Sequence, residues 1–296
     1  MIVVKTIEEL KAALKQARPD YTSKVGFVPT MGYLHEGHAS LMRRAAEEND
    51  IAVLSIFVNP IQFGPNEDLD RYPRDEARDL ALAEQCGMDI VFLPTVEVMY
   101  PQPTKTKIIV SELTGSLCGA SRPGHFDGVT TVVSKLFHLI KPDRAYFGMK
   151  DAQQVAVIMQ MVQDLNMDVD IVPCPLIREQ DGLALSSRNV YLSEEERLQA
   201  LKLSESLRLT EQWMKEEPAL TVGMLKSRIQ THIETAPLAD PDYVEIVSFP
   251  SLEAVSEETP VAARTGKWLI ALAVRYGKTR LIDNLLLTSS TGEELQ

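Results

Sequence analysis

An α/β fold, a doubly wound parallel sheet followed by a smaller C-terminal α+β domain, is predicted by three features of this 296-residue chain. Short apolar runs alternate with helix-period segments through the first two thirds of the sequence, the pattern of a parallel sheet with crossover helices. One run, Ile51 to Val58, is apolar along its length, as a strand covered on both faces must be. Beyond about residue 190 the order changes to two long helical stretches followed by strand-like pieces. A chain of this length exceeds what one compact core usually holds, so two domains are expected, 1–180 and 181–296.

Each element has its own signal. Residues 2–4 are a short apolar strand, and Thr6 opens a helix with Glu9 three residues on, a capping box. Residues 24–29 form a second strand, a Gly-rich turn follows, and a helix runs from about 39 to 48. After the 51–58 strand, a helix near 75–85 stops at Gly87 and a strand covers 89–93. Then come a helix over 129–140 stopped before Pro142, a strand at 144–147, a helix at 152–165 and a strand at 169–172. Ser193 begins the second region with three glutamates in the first helical turn, which suits the helix dipole. Helices over 193–216 and 221–235 are separated by Pro218, and strands are expected at 243–248, 267–275 and 280–286. The tail from Thr288 reads as frayed.

Composition narrows the function classes. Apolar residues make up 45% and charged residues 24%, ordinary globular values, and the formal net charge of -12 argues against a protein that wraps nucleic acid. Cys86, Cys118 and Cys174 are far apart and odd in number, so core filling in a reducing compartment is expected rather than a disulfide framework. No apolar run approaches membrane-span length, and the first residues lack a signal-peptide pattern, so the expectation is a cytoplasmic protein without membrane association.

Five segments carry chemistry, three at the carboxyl end of a predicted strand, one before a predicted helix and one at the predicted domain junction. Pro29–His38, P-T-M-G-Y-L-H-E-G-H, brings His35 and His38 to a helix start. Free N–H groups and the dipole there favour an anion, and Gly32 and Gly37 let backbone approach it. The His spacing also admits half of a metal site, without an evident third ligand nearby. Ser55–Asp68 ends a buried strand in a polar loop where the neutral amides of Asn59 and Gln62 suit a carboxylate or hydroxyl. The loop onward to Arg74 is long enough to act as a mobile wall. Arg122–Val129, R-P-G-H-F-D-G-V, reads as a turn before a helix, with Arg122 and His125 as added positive charge or as purely structural residues. Tyr146–Gln154 sets Lys150 at a helix start, against the dipole, which implies an anionic ligand, and Asp151 and Gln154 share a helix face. Ile177–Asn189 follows a Gly-containing loop with Ser186, Ser187 and Arg188, groups that suit phosphate oxygens.

H-E-G-H resembles the His-x-Gly-His signature of the nucleotidyltransferase superfamily, and P-T-M-G-Y-L-H-E-G-H together with F-V-N-P-I-Q-F, R-P-G-H-F-D-G-V, G-M-K-D-A-Q-Q and L-S-S-R resembles the pantoate–β-alanine ligase family. The resemblance implies a Rossmann-like sheet and ATP-dependent condensation of (R)-pantoate with β-alanine through pantoyl adenylate. It implies ATP contacts at Met31, Gly32, Tyr33, Leu34, His35, Glu36, Gly37 and His38, at Gly148, Met149, Lys150 and Asp151, at Ile177, and at Leu185, Ser186, Ser187 and Arg188. Met149 stands where many members carry Glu, so its side chain is not needed there. Gln62 and Gln154, with Asn59, are implied to hold pantoate near the entry of β-alanine. His38, His35, Lys150 and Arg188 are implied to be catalytic through charge stabilisation, with Mg²⁺ carried on the ATP phosphates and no dedicated protein metal site. A homodimer acting on these small molecules, and closure of the second domain and the 60–74 loop, are further expectations.

Y-G-K-T at 276–279 imitates the end of a phosphate-binding loop, but the first glycine of that motif would fall at Leu272 and the segment lies between two strands. Two other readings differ in kind: a cytidylyltransferase of the same superfamily, which would need CTP, and a non-catalytic ATP-binding regulator, which would form no AMP.

Overall fold

A computed structural model describes residues 1–19, 22–65 and 67–288. The chain divides into two compact units, Met1–Met149 with Val157–Leu176, and Lys150–Ala156 with Ile177–Gln296. Where the sequence sets one cut after residue 180, these units change over after residues 149, 156 and 176.

The first unit is built on six parallel strands: β1 (Ile2–Val4), β2 (Val25–Thr30), β3 (Ile51–Ile56), β4 (Ile90–Phe92), β5 (Arg144–Gly148) and β6 (Asp170–Cys174). Their order across the sheet is β1-β4-β3-β2-β5-β6. The helices are α1 (Ile7–Ala17), α2 (Glu36–Glu48), α3 (Glu76–Gln85), α4 (Val96–Met99), α5 (Leu117–Ser121), α6 (His125–Ile140) and α7 (Ala152–Asp164), the last shared between the two units. Strand alternation decides which helix covers which face. On β2, Val28 packs with Met42 and Ala45 of α2, whereas Phe27 meets Phe137 of α6 edge to face at 6.3 Å. Gly26 faces α2 so closely that a Cβ would lie 2.4 Å from Asn49 Nδ2. On β5, Tyr146 donates to Glu48 at the end of α2, while Phe147 packs edgewise on Phe137. Helices thus cover both faces, which makes the sheet doubly wound. Strand order reverses between β2 and β5, and the crevice beyond their carboxyl ends is where ligands of such sheets bind.

Several bounds differ from the sequence reading for local reasons. β3 stops at Ile56 because Asn59 and Pro60 start a 3-10 turn over Pro60–Gln62. α2 begins at Glu36 because His35 is its N-cap. α6 begins at His125, so the R-P-G-H-F-D-G-V segment is mostly helix rather than turn, with left-handed Gly124 (φ 80°) as the cap. α4 and α5 are too short for helical periodicity to reveal. Cys86 and Cys174 are buried, Cys118 is half-buried, and all three are free thiols.

The second unit contains α8 (Glu194–Glu216), α9 (Val222–Ile233) and three antiparallel strands in the order β7 (Ala239–Ser248), β8 (Trp268–Tyr276), β9 (Thr279–Leu287). Ser193 and Glu196 form a reciprocal capping box at α8, and Thr221 caps α9 after the Pro218 break. Ile270, Leu272, Val274 and Tyr276 of β8 are buried together with Leu203 and Leu207 of α8 and Leu225 and Ile229 of α9. Gly277 and Lys278 join β8 to β9, with Tyr276 paired to Thr279, so Y-G-K-T is a hairpin turn. The tail expected to fray lies, from residue 289, outside the described residues.

Candidate active site

The turn after β2 is tightly wound. Gly32 (φ 83°) and Tyr33 (φ 50°) are successive left-handed residues, a conformation that costs a residue with a Cβ. Asp79 of α3 holds it: its carboxylate accepts from Tyr33 N–H at 2.7 Å and from Leu34 N–H at 2.6 Å. Arg78 lies over the Tyr33 ring at 5.2 Å and donates to the Leu34 carbonyl at 3.3 Å.

The two histidines then cap α2 reciprocally. His35 Nδ1 accepts from Gly37 N–H at 3.2 Å, and His38 Nδ1 accepts from His35 N–H at 3.3 Å. The ring centroids are 4.1 Å apart. A neutral imidazole that accepts at Nδ1 carries its proton on Nε2, so both rings hold the Nε2–H form. Imidazole nitrogen thus occupies the Gly37 N–H of the helix start, a group the sequence alone would assign to an anion.

Beyond β3, Asn59 and Gln62 are buried, at 1% and 8% exposure, and hold each other. Asn59 Nδ2 donates to Gln62 Oε1 at 3.0 Å and to the Gly128 carbonyl at 3.1 Å, while Tyr100 donates to Asn59 Oδ1 at 2.8 Å. Gln62 Nε2 reaches Met31 Sδ at 3.2 Å, which joins the β3 loop to the β2 turn. Because Gln62 Oε1 is engaged and thioether sulfur is a weak acceptor, the Gln62 amide N–H groups are the ones suited to a carboxylate or hydroxyl.

Arg122 and His125 support this loop. Arg122 forks onto Glu67 at 2.7 and 2.5 Å, and its Nη1 lies 2.9 Å from His125 Nε2. Guanidinium only donates, so Nε2 accepts, and Nδ1–H donates to the Gln62 carbonyl 2.8 Å away. Burial pushes the Glu67 carboxyl up, yet the Arg122 fork beside it holds it below the usual carboxylate range. Arg122 charge is therefore matched by Glu67, and the segment braces Gln62 rather than adding free positive charge. Gly128 completes the brace: a Cβ there would lie 2.5 Å from Gln62 Cα and from the Ile61 carbonyl.

Gly148 and the buried Met149 close the first unit at the end of β5. Lys150, Asp151, Gln154, Ile177 and Leu185–Arg188 belong to the second. There Lys150 Nζ is 3.5 Å from Asp151, and Asn284 of β9 donates to the Lys150 carbonyl at 3.0 Å. Leu185 N–H donates to the Ile177 carbonyl at 3.0 Å, which brings these two predicted ATP contacts together. Ser186 caps the 3-10 turn Ser187–Tyr191 by accepting from Arg188 N–H at 3.3 Å. Beneath the loop, Arg178 makes a bidentate pair with Asp283 at 2.7 and 2.9 Å and donates to the Gly182 carbonyl. Arg197 binds Glu179 and Asp181, and Asn189 ties Glu179 to the Ala184 carbonyl.

Sequence reasoning missed Asp79, Tyr100, Arg178, Asp283 and Asn284. Two had a signal. Asp79 is a charged residue on the helical stripe it shares with buried Ala83, and D-N interrupts an apolar strand at 283–284. Tyr100 and Arg178 carry no local mark.

The model of the family described as pantoate-beta-alanine ligase matches residues 2–286. A pantothenate synthetase of Caldicellulosiruptor bescii is 55% identical over 287 residues, 97% of this chain and 99% of the relative. That of Geobacillus kaustophilus is 50% identical over 295 residues, 99% of this chain and 96% of the relative. The crystal structure of pantothenate synthetase from Thermus thermophilus superposes with a TM-score of 0.88 at 45% identity, covering 96% of this chain and 99% of that one. A pantoate-beta-alanine ligase from Francisella tularensis, complexed with beta-gamma ATP and beta-alanine, gives 0.76 at 35% identity and 97% of each chain.

Proposed function

We infer, since the chain belongs to the pantoate–β-alanine ligase family, that it condenses (R)-pantoate with β-alanine to give pantothenate, AMP and pyrophosphate through a pantoyl-adenylate intermediate. ATP is a substrate of the reaction. One observation carries the reading of the site. Both histidines at the start of α2 use Nδ1 as an acceptor within the turn, which keeps on Nε2 the proton that a phosphate oxygen accepts.

In the first step a carboxylate oxygen of pantoate attacks the α-phosphorus, and the bond to the pyrophosphate oxygen breaks. Charge grows on the departing pyrophosphate. Positioned donors lower that barrier without covalent catalysis. We assign this work to His35, His38, Lys150 and Arg188, with His38 also able to pass a proton to pyrophosphate. The ATP contacts are assigned to Met31–His38, Gly148–Asp151, Ile177 and Leu185–Arg188. Gln62, Asn59 and Gln154 are assigned to pantoate; the amide N–H groups of Gln62 fit its carboxylate. In the second step the β-alanine nitrogen attacks the acyl carbon, the acyl–oxygen bond breaks, AMP leaves and the nitrogen loses a proton.

Two acidic side chains of the first unit are committed elsewhere, Asp79 to two N–H groups and Glu67 to Arg122, and neither is offered to a cation. Mg²⁺ is assigned, as the family resemblance implies, to phosphate oxygens and water, where it would offset phosphate charge. No described helix is long and apolar enough to cross a membrane. A cytoplasmic homodimer is the state the family implies, and light scattering on the purified chain reads the subunit number.

The test is product analysis with ATP, pantoate and β-alanine. Equal amounts of pantothenate, AMP and pyrophosphate are expected; ADP as product, or a requirement for CTP and a phosphorylated substrate, contradicts the reading.

A further inference from the structure

We propose that Asp79, seconded by Arg78, is a positioning residue for ATP: it holds the left-handed turn at Gly32 and Tyr33 from which the ATP-phosphate histidines project. The proposal rests on the reading of His35 and His38 given above. Asp79 comes from the first turn of α3, 46 residues beyond Tyr33 and in another crossover of the sheet. Its carboxylate is 2% exposed, and each oxygen is used by one N–H of the turn. A carboxylate so far from water persists only where hydrogen bonds replace the water it gave up.

The surrounding geometry is fitted to that carboxylate. A Cβ on Gly32 would lie 3.0 Å from Asp79 Oδ2 and 2.9 Å from Ile56 Cγ2, so only glycine lets the turn settle onto α3. Tyr33 stays left-handed although it has a Cβ, and such strain survives where neighbours over-determine it. Two neighbours do: Asp79 takes the N–H groups, while Arg78 takes the Leu34 carbonyl and lies over the Tyr33 ring. His35 is the next residue, and it is the cap of α2. Burial pushes the Asp79 carboxyl up from its ordinary value, against the pull of the Leu34 and Tyr33 N–H groups. The clamp also takes the Tyr33 and Leu34 N–H groups away from ATP, leaving phosphate recognition in this turn to the imidazoles and the remaining backbone.

The decisive variant is Asp79→Asn, which keeps size and one acceptor but turns an NH₂ donor against a backbone N–H. Steady-state kinetics of wild type and variant are compared, with pantoate-dependent pyrophosphate exchange in the wild type as the control. An ATP KM raised at least tenfold is expected, with pantoate KM within twofold and a wild-type circular dichroism spectrum; a filler of space would leave the ATP KM unmoved. An ATP KM within twofold of wild type overturns the proposal. Should Asp79→Asn fail to fold, Arg78→Ala decides, since Arg78 is exposed: a threefold or greater rise in ATP KM supports the clamp, and no rise overturns it. Absence of exchange in the wild type would instead count against the function of the histidines themselves.

Discussion

At the residue scale the informative atoms are two imidazole nitrogens. His35 and His38 each commit Nδ1 to backbone N–H groups, which leaves the proton on Nε2. If Nε2–H stabilises the leaving pyrophosphate, His38→Ala should slow adenylate formation by about 10²-fold or more, the range for losing one such donor. The variant should stay folded, with a midpoint lowered by no more than the loss of one cap hydrogen bond, about 0.5–2 kcal/mol; near-normal turnover would refute the assigned role. His38→Gln should keep more activity than His38→Asn, because the glutamine amide nitrogen overlies Nε2 and that of asparagine overlies Nδ1. The histidine pair was legible in the sequence because its chemistry is local, three positions around a glycine. Which nitrogen carries the proton was not, because it depends on hydrogen bonds that exist only after α2 is capped.

At the element scale, α6 and the Pro60–Gln62 turn meet backbone to backbone across Gly128. Gly128→Ala would force the two apart, at a cost of about 1–3 kcal/mol for overpacking. Chemical denaturation should register that loss, and the pantoate KM should rise, since Gln62 moves with its turn; unchanged stability and KM would show that the contact is slack. In the second unit, the strand β9 holds the Ile177–Leu185 hairpin through Asp283, 2% exposed, and Arg178. Asp283→Ala leaves the half-buried Arg178 guanidinium with only the Gly182 carbonyl, and should destabilise by about 1–3 kcal/mol. A loss below 1 kcal/mol would place the pair outside the fold's essential contacts. Sequence periodicity found the strands and long helices here, and apolar β3 was plain. It mislaid the starts of α2 and α6 because capping by His35 and Gly124 follows no apolar repeat. It also could not bring Asp79 to Tyr33, a contact created by the order of strands in the sheet.

At the scale of the whole molecule, three carboxylates respond to acid in the same sense. Asp143, Glu48 and Glu67 are pushed up by burial but held below their ordinary values overall, Asp143 by Val25 N–H, Lys24 and Arg18, Glu48 by Arg44, Tyr146 and Arg144, and Glu67 by Arg122. A folded-state value below the unfolded one means that the stabilisation is complete above the unfolded range, about pH 4, and is lost as pH falls through the folded values. Asp79 and Asp283, both shifted upward by burial, work in the opposite direction and offset a part. The thermal midpoint should therefore be level from about pH 7 to 5 and fall below about pH 4; a rise there would contradict these assignments. In the proposed reaction the chain activates pantoate before β-alanine takes part. The most direct measurement is exchange of labelled pyrophosphate into ATP with β-alanine left out. Exchange that appears only when pantoate is added is the predicted result, and exchange that is absent, or that requires β-alanine, would contradict an adenylate intermediate.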